Sequence, residues 1–257
     1  MRLNNKVAVI TGGSGGIGFE TAKKFIAEGA KVVVADINEK VGQEQVEVLK
    51  QNGGEAYFVQ TNVTKYEEVV DLVEKTVEKF GRIDVMFNNA GISMPKPFLE
   101  HDPSSDYDPV ISVNQNGVYY GILASAKKMI ELNIEGIIIN TASVFGILPG
   151  EFTFTYNATK AAVNMMTASA AMELGVHGIR VVSIAPGRVD TPMIQGYKDY
   201  GVWDQVMQEQ MRRKLTNPEE IANTVAFLAS EESNSINGSC IRVDDGYSNF
   251  KAPLLTK

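Results

Sequence analysis

The 257-residue sequence predicts one doubly wound α/β domain, in which a parallel sheet of about seven strands is covered by helices on both faces. Three observations predict this fold. Short apolar runs rich in valine and isoleucine alternate with amphipathic stretches that are long enough for helices. Runs such as VAVI at 7–10 and VVVA at 32–35 are apolar throughout, as strands buried on both faces are. No linker rich in proline, glycine or serine divides the chain.

The predicted elements alternate along the chain. Seven runs are predicted as strands, at residues 7–10, 32–35, 56–60, 85–87, 136–140, 180–184 and 240–243. Six stretches are predicted as helices, at residues 16–28, 39–51, 67–80, 114–132, 156–174 and 218–229. One long irregular stretch remains, at about 186–214, and loops of that length in compact domains are usually functional lids.

Composition excludes several classes of partner. A formal net charge of -7 and a sequence pI near 5.0 argue against nucleic acid, because the protein's field repels a polyanion. The single cysteine, Cys240, excludes an internal disulfide and fits a reducing cytoplasm. No segment resembles an export signal, and no window approaches the roughly 18–20 apolar residues of a membrane span. We therefore expect a cytoplasmic protein with neither nucleic acid nor membrane as its partner.

A glycine-rich segment, TGGSGGIG at 11–18, joins the first predicted strand to the first predicted helix. Glycines there let the backbone turn sharply and approach a pyrophosphate, whose charge then lies at the positive end of the helix. A tight turn also needs glycine, but the position between strand and helix is typical of dinucleotide-binding sites. We expect cofactor contacts from Gly12, Ser14, Gly15, Ile17 and Gly18.

An acidic residue, Asp36, ends the second predicted strand and is followed by Ile37, which we include in the same site. A carboxylate at this position accepts hydrogen bonds from the adenosine ribose. It would also repel the 2'-phosphate of NADP, and no basic residue near Ser14 or Asn38 offers that phosphate a partner. The sequence therefore predicts NAD rather than NADP; the alternative is that Asp36 is a solvated turn residue.

Tyr156 and Lys160 are four residues apart in a predicted helix, so their side chains share one face. A free phenol has a pKa of about 10, and a nearby cation favours its anionic form. Tyr156 is thus a candidate general base for a hydroxyl and general acid for a carbonyl. Taken alone, the spacing would fit a packed tyrosine beside a surface lysine better than a catalytic pair.

Together and in this order, the segments resemble the short-chain dehydrogenase/reductase family in its small, single-domain Rossmann-fold form, from about residue 6 to 246. The resemblance implies that Ser143 hydrogen-bonds the reacting oxygen, with Tyr156 as the proton-transfer group. It also implies that Asn114 holds a water beside Lys160 and so connects the site to solvent. Residues 1–257 then form a single dinucleotide-binding catalytic domain with a substrate lid at about 186–214.

The resemblance also implies further cofactor contacts. They come from Gly16, Asn62, Val63, Asn89, Ala90, Gly91, Pro186, Gly187, Val189 and Thr191, and from the catalytic residues Tyr156 and Lys160. Two positions depart from the family pattern. Asn62 replaces an acidic residue that contacts adenine, and Asp245 stands where a glycine is common, in a region of subunit contacts. Asn62 can still donate and accept hydrogen bonds.

The implied activity is an NAD-dependent interconversion of a secondary alcohol and a ketone, without a metal, in a homotetramer that pairs through the helices at 114–132 and 156–174. A glucose-type sugar dehydrogenase and a 3-oxoacyl carrier-protein reductase are alternatives within the family. Asp36 and the acidic residues Glu100, Asp102, Asp106 and Asp108 disfavour the second, which generally uses NADPH and docks an acidic carrier. A nucleotide-sensing regulatory protein is the non-enzyme alternative, but it would typically have lost the tyrosine or the lysine.

The residues around the predicted site favour a mostly apolar substrate pocket. Those in the lid are Met193, Ile194, Tyr197, Tyr200, Val202, Trp203 and Met207, and those flanking the catalytic elements are Phe145, Leu148 and Phe152. Arg188 is interpreted as a solvent-facing arginine; the alternative is that it pairs with an acidic group on the substrate.

Overall fold

The computed structural model describes residues 1–198 and 201–249. Within these ranges, seven parallel strands form one sheet in the order β3-β2-β1-β4-β5-β6-β7, which confirms the predicted fold class. The strands are β1 Val7–Thr11, β2 Lys31–Asp36, β3 Ala56–Gln60, β4 Val85–Asn88, β5 Ile137–Thr141, β6 Arg180–Pro186 and β7 Cys240–Val243. Since β1 has β2 on one side and β4 on the other, the strand order reverses there, where open α/β sheets bind their ligands.

Helices cover both faces of the sheet. They are α1 Gly16–Ala27, α2 Glu39–Gln51, α3 Tyr66–Phe80, α4 Asp108–Ile111, α5 Gly117–Glu131, α6 Phe154–Leu174, α7 Pro192–Gln195, α8 Trp203–Gln208 and α9 Pro218–Ala229. Alternate residues of each strand face opposite sides. Ile10 of β1 therefore packs in the core with Phe25 of α1, whereas Val9 packs in a separate core with Leu72 of α3. The full burial of both β1 residues explains why this strand is apolar throughout.

The ends of the helices have local causes. At the start of α9, the Asn217 side chain accepts from the Glu219 N–H and the Glu220 carboxylate accepts from the Asn217 N–H, while Pro218 occupies the first turn, where its missing N–H costs nothing. At its other end, α3 stops at Gly81, whose φ of 79° lies in the left-handed region that glycine tolerates.

The helix predicted at 114–132 differs from the structure. Helical backbone begins earlier, with a π-helical turn at Pro103–Tyr107 that leads into α4, and the segment Ser112–Asn116 is a second π-helical turn, between α4 and α5. A π-turn adds a residue to the turn and breaks the 3.6-residue period, so an apolar pattern does not reveal it. Asn114 therefore lies inside a π-turn, a position frequent at functional sites.

The stretch at 186–214 contains the short helices α7 and α8, so it is not irregular throughout. Tyr200, one of its predicted apolar residues, lies outside the described residues. The helix that carries Tyr156 begins at Phe154, two residues before the predicted start. None of the helices in the described ranges is long and apolar enough to cross a bilayer.

Candidate active site

A cavity of about 380 Å³ lies at the carboxyl ends of the central strands. Most of the predicted cofactor and catalytic residues line it: Gly12, Gly15, Gly16, Ile17, Asp36, Asn89, Ala90, Gly91, Ser143, Tyr156, Lys160, Pro186, Gly187, Val189 and Thr191. Residues as far apart in the chain as Gly12 and Thr191 thus meet around one volume, because the carboxyl ends of parallel strands lie at the same edge of the sheet.

The glycine loop is fastened to the end of β4. The Thr11 hydroxyl accepts hydrogen bonds from the backbone N–H groups of Asn89, at 3.0 Å, and Ala90, at 3.1 Å. The Asn89 amide donates in return to the carbonyls of Thr11 and Gly12. Gly12 has a φ of 61°, and a Cβ there would lie 2.9 Å from the Ala90 Cα. Glycine is therefore required at this position both by conformation and by the close approach of the two segments.

The cavity wall beside Asp36 has the features of a dinucleotide cradle. The Asp36 carboxylate accepts from the N–H groups of Ser14, at 3.2 Å, and Asn38, at 3.1 Å. The Ser14 hydroxyl is buried and has no hydrogen-bond partner among the described residues, whereas buried polar atoms are normally paired. A Cβ on Gly15 would meet no protein atom within 4 Å. An unpaired hydroxyl and free space beside the helix start fit a ligand that carries phosphate and ribose oxygens.

Ser143, Tyr156 and Lys160 form a second cluster on the same cavity. Ser143 follows β5, and its hydroxyl accepts from the Phe145 N–H at 3.2 Å. Tyr156 in the first turn of α6 shares a hydrogen bond with Ser143. One turn later, the Lys160 ammonium lies 5.4 Å from the centroid of the Tyr156 ring and donates to the Thr141 carbonyl at 2.7 Å. The hydroxyl groups of a serine and a tyrosine thus converge beside a buried cation.

Burial is the main cause of the pKa shifts of both Tyr156 and Lys160. It raises the pKa of the Tyr156 phenol, and the hydrogen bond with Ser143 and the positive charge of Arg188 oppose that rise. Burial also lowers the pKa of Lys160 to about 8, because a charged ammonium loses its hydration. Lys160 was predicted to lower the pKa of the phenol, but burial has the largest influence on that pKa and raises it.

Asn114 does not line the cavity, although its fully buried side chain lies directly behind it. Its Oδ1 accepts from the Ile92 N–H at 2.8 Å, and its Nδ2 donates to the Ile92 carbonyl at 2.9 Å and to the Thr159 hydroxyl at 3.3 Å. The same hydroxyl donates to the Tyr156 carbonyl. Asn114 therefore joins the segment after β4 to the first turn of α6, and its part in a proton relay stays a prediction.

The other predicted cofactor residues lie at the margin or behind the wall. Gly18 packs against the glycine loop, where a Cβ would lie 2.1 Å from the Gly12 carbonyl oxygen. The Ile37 side chain is largely exposed. Asn62 Oδ1 accepts from both the N–H and the hydroxyl of Thr64, and Val63 packs against Gly117. Their contacts with a cofactor, and those of Ser14, stay predictions.

Arg188 was predicted to face solvent, and this prediction is wrong. Its side chain is only 10% exposed and lines the cavity. Arg188 is buried by tertiary contacts, because its guanidinium packs against the rings of Phe145, Tyr197 and Tyr247 and pairs with Glu209. One feature of the sequence could have indicated its place in the cavity: Arg188 directly follows Pro186 and Gly187, which are predicted cofactor contacts.

The lining of the cavity is mostly apolar, as predicted, but only some of the residues named for it contribute. Phe145, Met193, Ile194 and Tyr197 line the cavity. The other described residues that were predicted to make the pocket apolar do not line the cavity; they are Leu148, Phe152, Val202, Trp203 and Met207. Ser93 and Thr153 add hydroxyl groups that the sequence analysis missed.

Comparison with known sequences identifies relatives along the whole length of the chain. A family model described as enoyl-(acyl carrier protein) reductase matches residues 12–248. The chain is 37% identical over 247 residues to the 2,5-dichloro-2,5-cyclohexadiene-1,4-diol dehydrogenase LinX of Sphingobium indicum, covering 96% of this chain and 98% of the relative. It is 35% identical over 253 residues to the secoisolariciresinol dehydrogenase of Forsythia intermedia, covering 96% of this chain and 90% of the relative.

Solved structures give the same result. Levodione reductase superimposes with a TM-score of 0.92 and 32% sequence identity, over 97% of this chain and 100% of that chain. A short-chain type dehydrogenase/reductase from Mycobacterium marinum superimposes with a TM-score of 0.90 and 31% identity, over 95% and 96% of the two chains. The similarity thus extends over the sheet, the helices and the cavity alike.

Proposed function

Because the chain belongs to the short-chain dehydrogenase/reductase family and is an oxidoreductase, we propose that it interconverts a secondary alcohol and a ketone with NAD as the hydride carrier. One observation carries the proposal: Ser143, Tyr156 and Lys160 line the same cavity as the glycine loop and Asp36. A reacting carbon held beside the hydroxyl groups is therefore also beside the dinucleotide cradle. A relative named for a cyclic diol supports cyclic secondary alcohols as the substrate class.

The residues that would hold NAD are the glycine loop with the start of α1, Asp36, the segment 89–91 and the segment 186–191. The unpaired Ser14 hydroxyl and the free space at Gly15 support this assignment. When bound, the nicotinamide ring supplies the hydride acceptor in oxidation and the donor in reduction. The Asp36 carboxylate would accept hydrogen bonds from the adenosine ribose hydroxyls.

The proton is handled by the chain's own residues. In oxidation, the ionised phenol of Tyr156 accepts the proton of a substrate hydroxyl that Ser143 also hydrogen-bonds. In reduction, the neutral phenol donates that proton to the carbonyl oxygen. Lys160, 5.4 Å from the ring, stabilises the phenolate by its charge, and Asn114 would help to pass the proton onward by way of a water.

Asp36→Ala tests the choice of cofactor. The change removes both the ribose acceptor and the repulsion of a 2'-phosphate, so we expect the NAD to NADP ratio of kcat/KM to fall by about tenfold or more. Asp36 also orders the loop at Ser14, so both cofactors will bind less tightly and the ratio is the measurement to use. Glu39→Ala, an equal loss of charge at an exposed position on α2, is the control and should leave the ratio unchanged. An unchanged ratio in Asp36→Ala would show that another residue decides the preference.

A substrate panel tests the reaction itself. NADH and NADPH oxidation would be followed with cyclohexanone, an acetoacetyl thioester and a crotonyl thioester, and NAD and NADP reduction with cyclohexanol and glucose. We expect turnover of the cyclic ketone and alcohol, with the NAD couple preferred. Turnover confined to the acetoacetyl thioester with NADPH would favour a 3-oxoacyl carrier-protein reductase, and turnover confined to the crotonyl thioester would favour the enoyl reduction in the family model's description. Turnover of glucose alone would favour a sugar dehydrogenase.

A homotetramer that pairs through α5 and α6 completes the proposal. These helices expose apolar side chains in the described protomer: Tyr119 is 50% exposed, Met165 68% and Met172 79%. Met165 and Met172 are seven residues apart and so share one face of α6. Exposed apolar surface of this kind marks contacts with other chains. Light scattering on the purified protein should give a mass about four times the 28.0 kDa of the chain. A monomer mass at micromolar concentration would overturn this part of the proposal.

A further inference from the structure

Arg188 lies on the cavity wall immediately after β6, enclosed by aromatic rings. Its Cζ is 4.9 Å from the ring centroid of Phe145, 5.0 Å from that of Tyr197 and 5.9 Å from that of Tyr247. These rings come from three separate parts of the chain. Cation–π contacts of this kind hold the guanidinium in place without using its N–H groups.

The hydrogen bonds of Arg188 are incomplete. Its Nη2 donates to Glu209 at 3.0 Å, and Glu209 also accepts from the Tyr247 hydroxyl at 3.2 Å. The Nε–H, in contrast, is buried and has no acceptor in the described parts of the chain. An unpaired buried donor carries a full desolvation cost, so an acceptor supplied by a ligand would be bound favourably.

Arg188 and the proton-transfer group share one volume. Arg188, Ser143 and Tyr156 all line the cavity of about 380 Å³, and the positive charge of Arg188 is close enough to act on the Tyr156 phenol. A single small substrate can therefore present one oxygen to Ser143 and Tyr156 and another to Arg188. The side chain of Arg188 is thus placed to act on a substrate that reaches Ser143 and Tyr156.

The surroundings favour an uncharged acceptor. A carboxylate binds arginine best through two parallel bonds, but Glu209 already occupies Nη2 next to the unpaired Nε. Glu209 also neutralises the guanidinium, and the aromatic enclosure would penalise a second anion. A carbonyl or hydroxyl oxygen needs only the one N–H and brings no charge.

We propose that Arg188 makes the enzyme selective for ketones and alcohols that carry a second, uncharged oxygen, such as cyclic diones, hydroxyketones and diols. This inference rests on the proposed function, since it names the substrate class of the same site. It makes Arg188 a specificity-determining residue whose effect depends on the substrate.

The test compares matched ring ketones in wild type and Arg188→Met. With NADH as reductant, we expect wild-type kcat/KM for cyclohexane-1,4-dione to exceed that for cyclohexanone by at least about tenfold. Arg188→Met should reduce this ratio to about two, the statistical factor for two carbonyl groups; the ratio is the measurement to use, because loss of the charge near Tyr156 affects the turnover of every ketone alike. Arg242→Met, the same replacement at an exposed arginine on β7, should keep the wild-type ratio. 4-Oxocyclohexanecarboxylate should be a poor substrate for wild type.

Two results would overturn the inference. If the wild-type enzyme shows no preference for cyclohexane-1,4-dione over cyclohexanone, Arg188 does not select for a second oxygen. An equal loss of kcat/KM for every ketone in Arg188→Met would show that the arginine only holds the pocket together.

Ligand binding without turnover separates this inference from the proposed function. The thermal stabilisation of the protein by each ketone should show the same dependence on Arg188 as kcat/KM. If no ketone is turned over with either cofactor, the proposed function fails. Stabilisation by the dione that is lost in Arg188→Met would then still support the role of Arg188, and equal stabilisation of both proteins would overturn it.

Discussion

Replacing Tyr156 by phenylalanine is expected to lower kcat by about 10²- to 10⁴-fold, the usual contribution of a positioned proton-transfer group. The ring and its packing remain, whereas the hydroxyl that shares a hydrogen bond with Ser143 is lost. Substrate oxygen would then be held by Ser143 alone, with no group to take or give its proton. NADH binding should be largely retained, because the glycine loop and Asp36 are unchanged.

The measurement is steady-state kinetics with a cyclic ketone, together with a titration of NADH fluorescence. Tyr57→Phe provides the control, since it removes the same atom from a tyrosine on β3, away from the cavity. We expect that variant to have wild-type kcat. Near-normal turnover in Tyr156→Phe would contradict the proposed mechanism, and a parallel loss of NADH binding would place the defect in the fold of the site.

Lys160→Met is expected to lower activity and yet stabilise the protein at neutral pH. Burial lowers the pKa of Lys160 from the ordinary 10.5 to about 8, so the folded protein binds this proton more weakly than the unfolded chain does. The cost of keeping the ammonium buried corresponds to about 3 kcal/mol, and most of it is present at pH 7. The variant also loses the hydrogen bond to Thr141, which destabilises it by about 1 kcal/mol. The net gain in the free energy of unfolding is therefore about 2 kcal/mol.

The stability gained in Lys160→Met should depend on pH. Below about pH 8 the wild type carries the full cost, and as pH rises from about 8 towards 10.5 the cost disappears because the lysine is neutral in both states. Urea unfolding at pH 7 and at pH 10 should therefore show an advantage of Lys160→Met that shrinks or reverses at the higher pH. Lys79→Met, on an exposed part of α3, should show no such trend. Meanwhile kcat should fall at least about tenfold, because the phenolate of Tyr156 loses its neighbouring cation.

The strands were predicted to within one or two residues because a sheet covered on both faces requires uninterrupted apolar runs. The glycine loop and Asp36 were predicted to share a site for a similar reason: the rule that ligands bind at carboxyl ends of strands follows from the topology. Tyr156 and Lys160 were predicted to share a face because they lie one helical turn apart.

Other features depend on contacts that no local pattern records. The fully buried Asn114 amide is held by the Ile92 backbone, 22 residues away, and it lies in a π-turn that the apolar period does not show. Arg188 is buried only because Phe145, Tyr247 and Glu209 surround it in three dimensions. A long charged side chain in a loop is usually exposed, and a sequence pattern does not show the tertiary contacts that bury this one.

The strand order has a consequence for how the protein is made. Strands β1 to β4 pair only with one another and with β5, whereas β5, β6 and β7 each pair with the strand that precedes them in the chain. During synthesis, the part of the sheet formed by β1 to β4, which carries the glycine loop and Asp36, can thus assemble before Ser143 and Tyr156 leave the ribosome. The sheet then grows one strand at a time along a single open edge. That edge exposes unpaired backbone groups until the next strand arrives, so a slowly translated nascent chain is most prone to aggregate between β4 and β7.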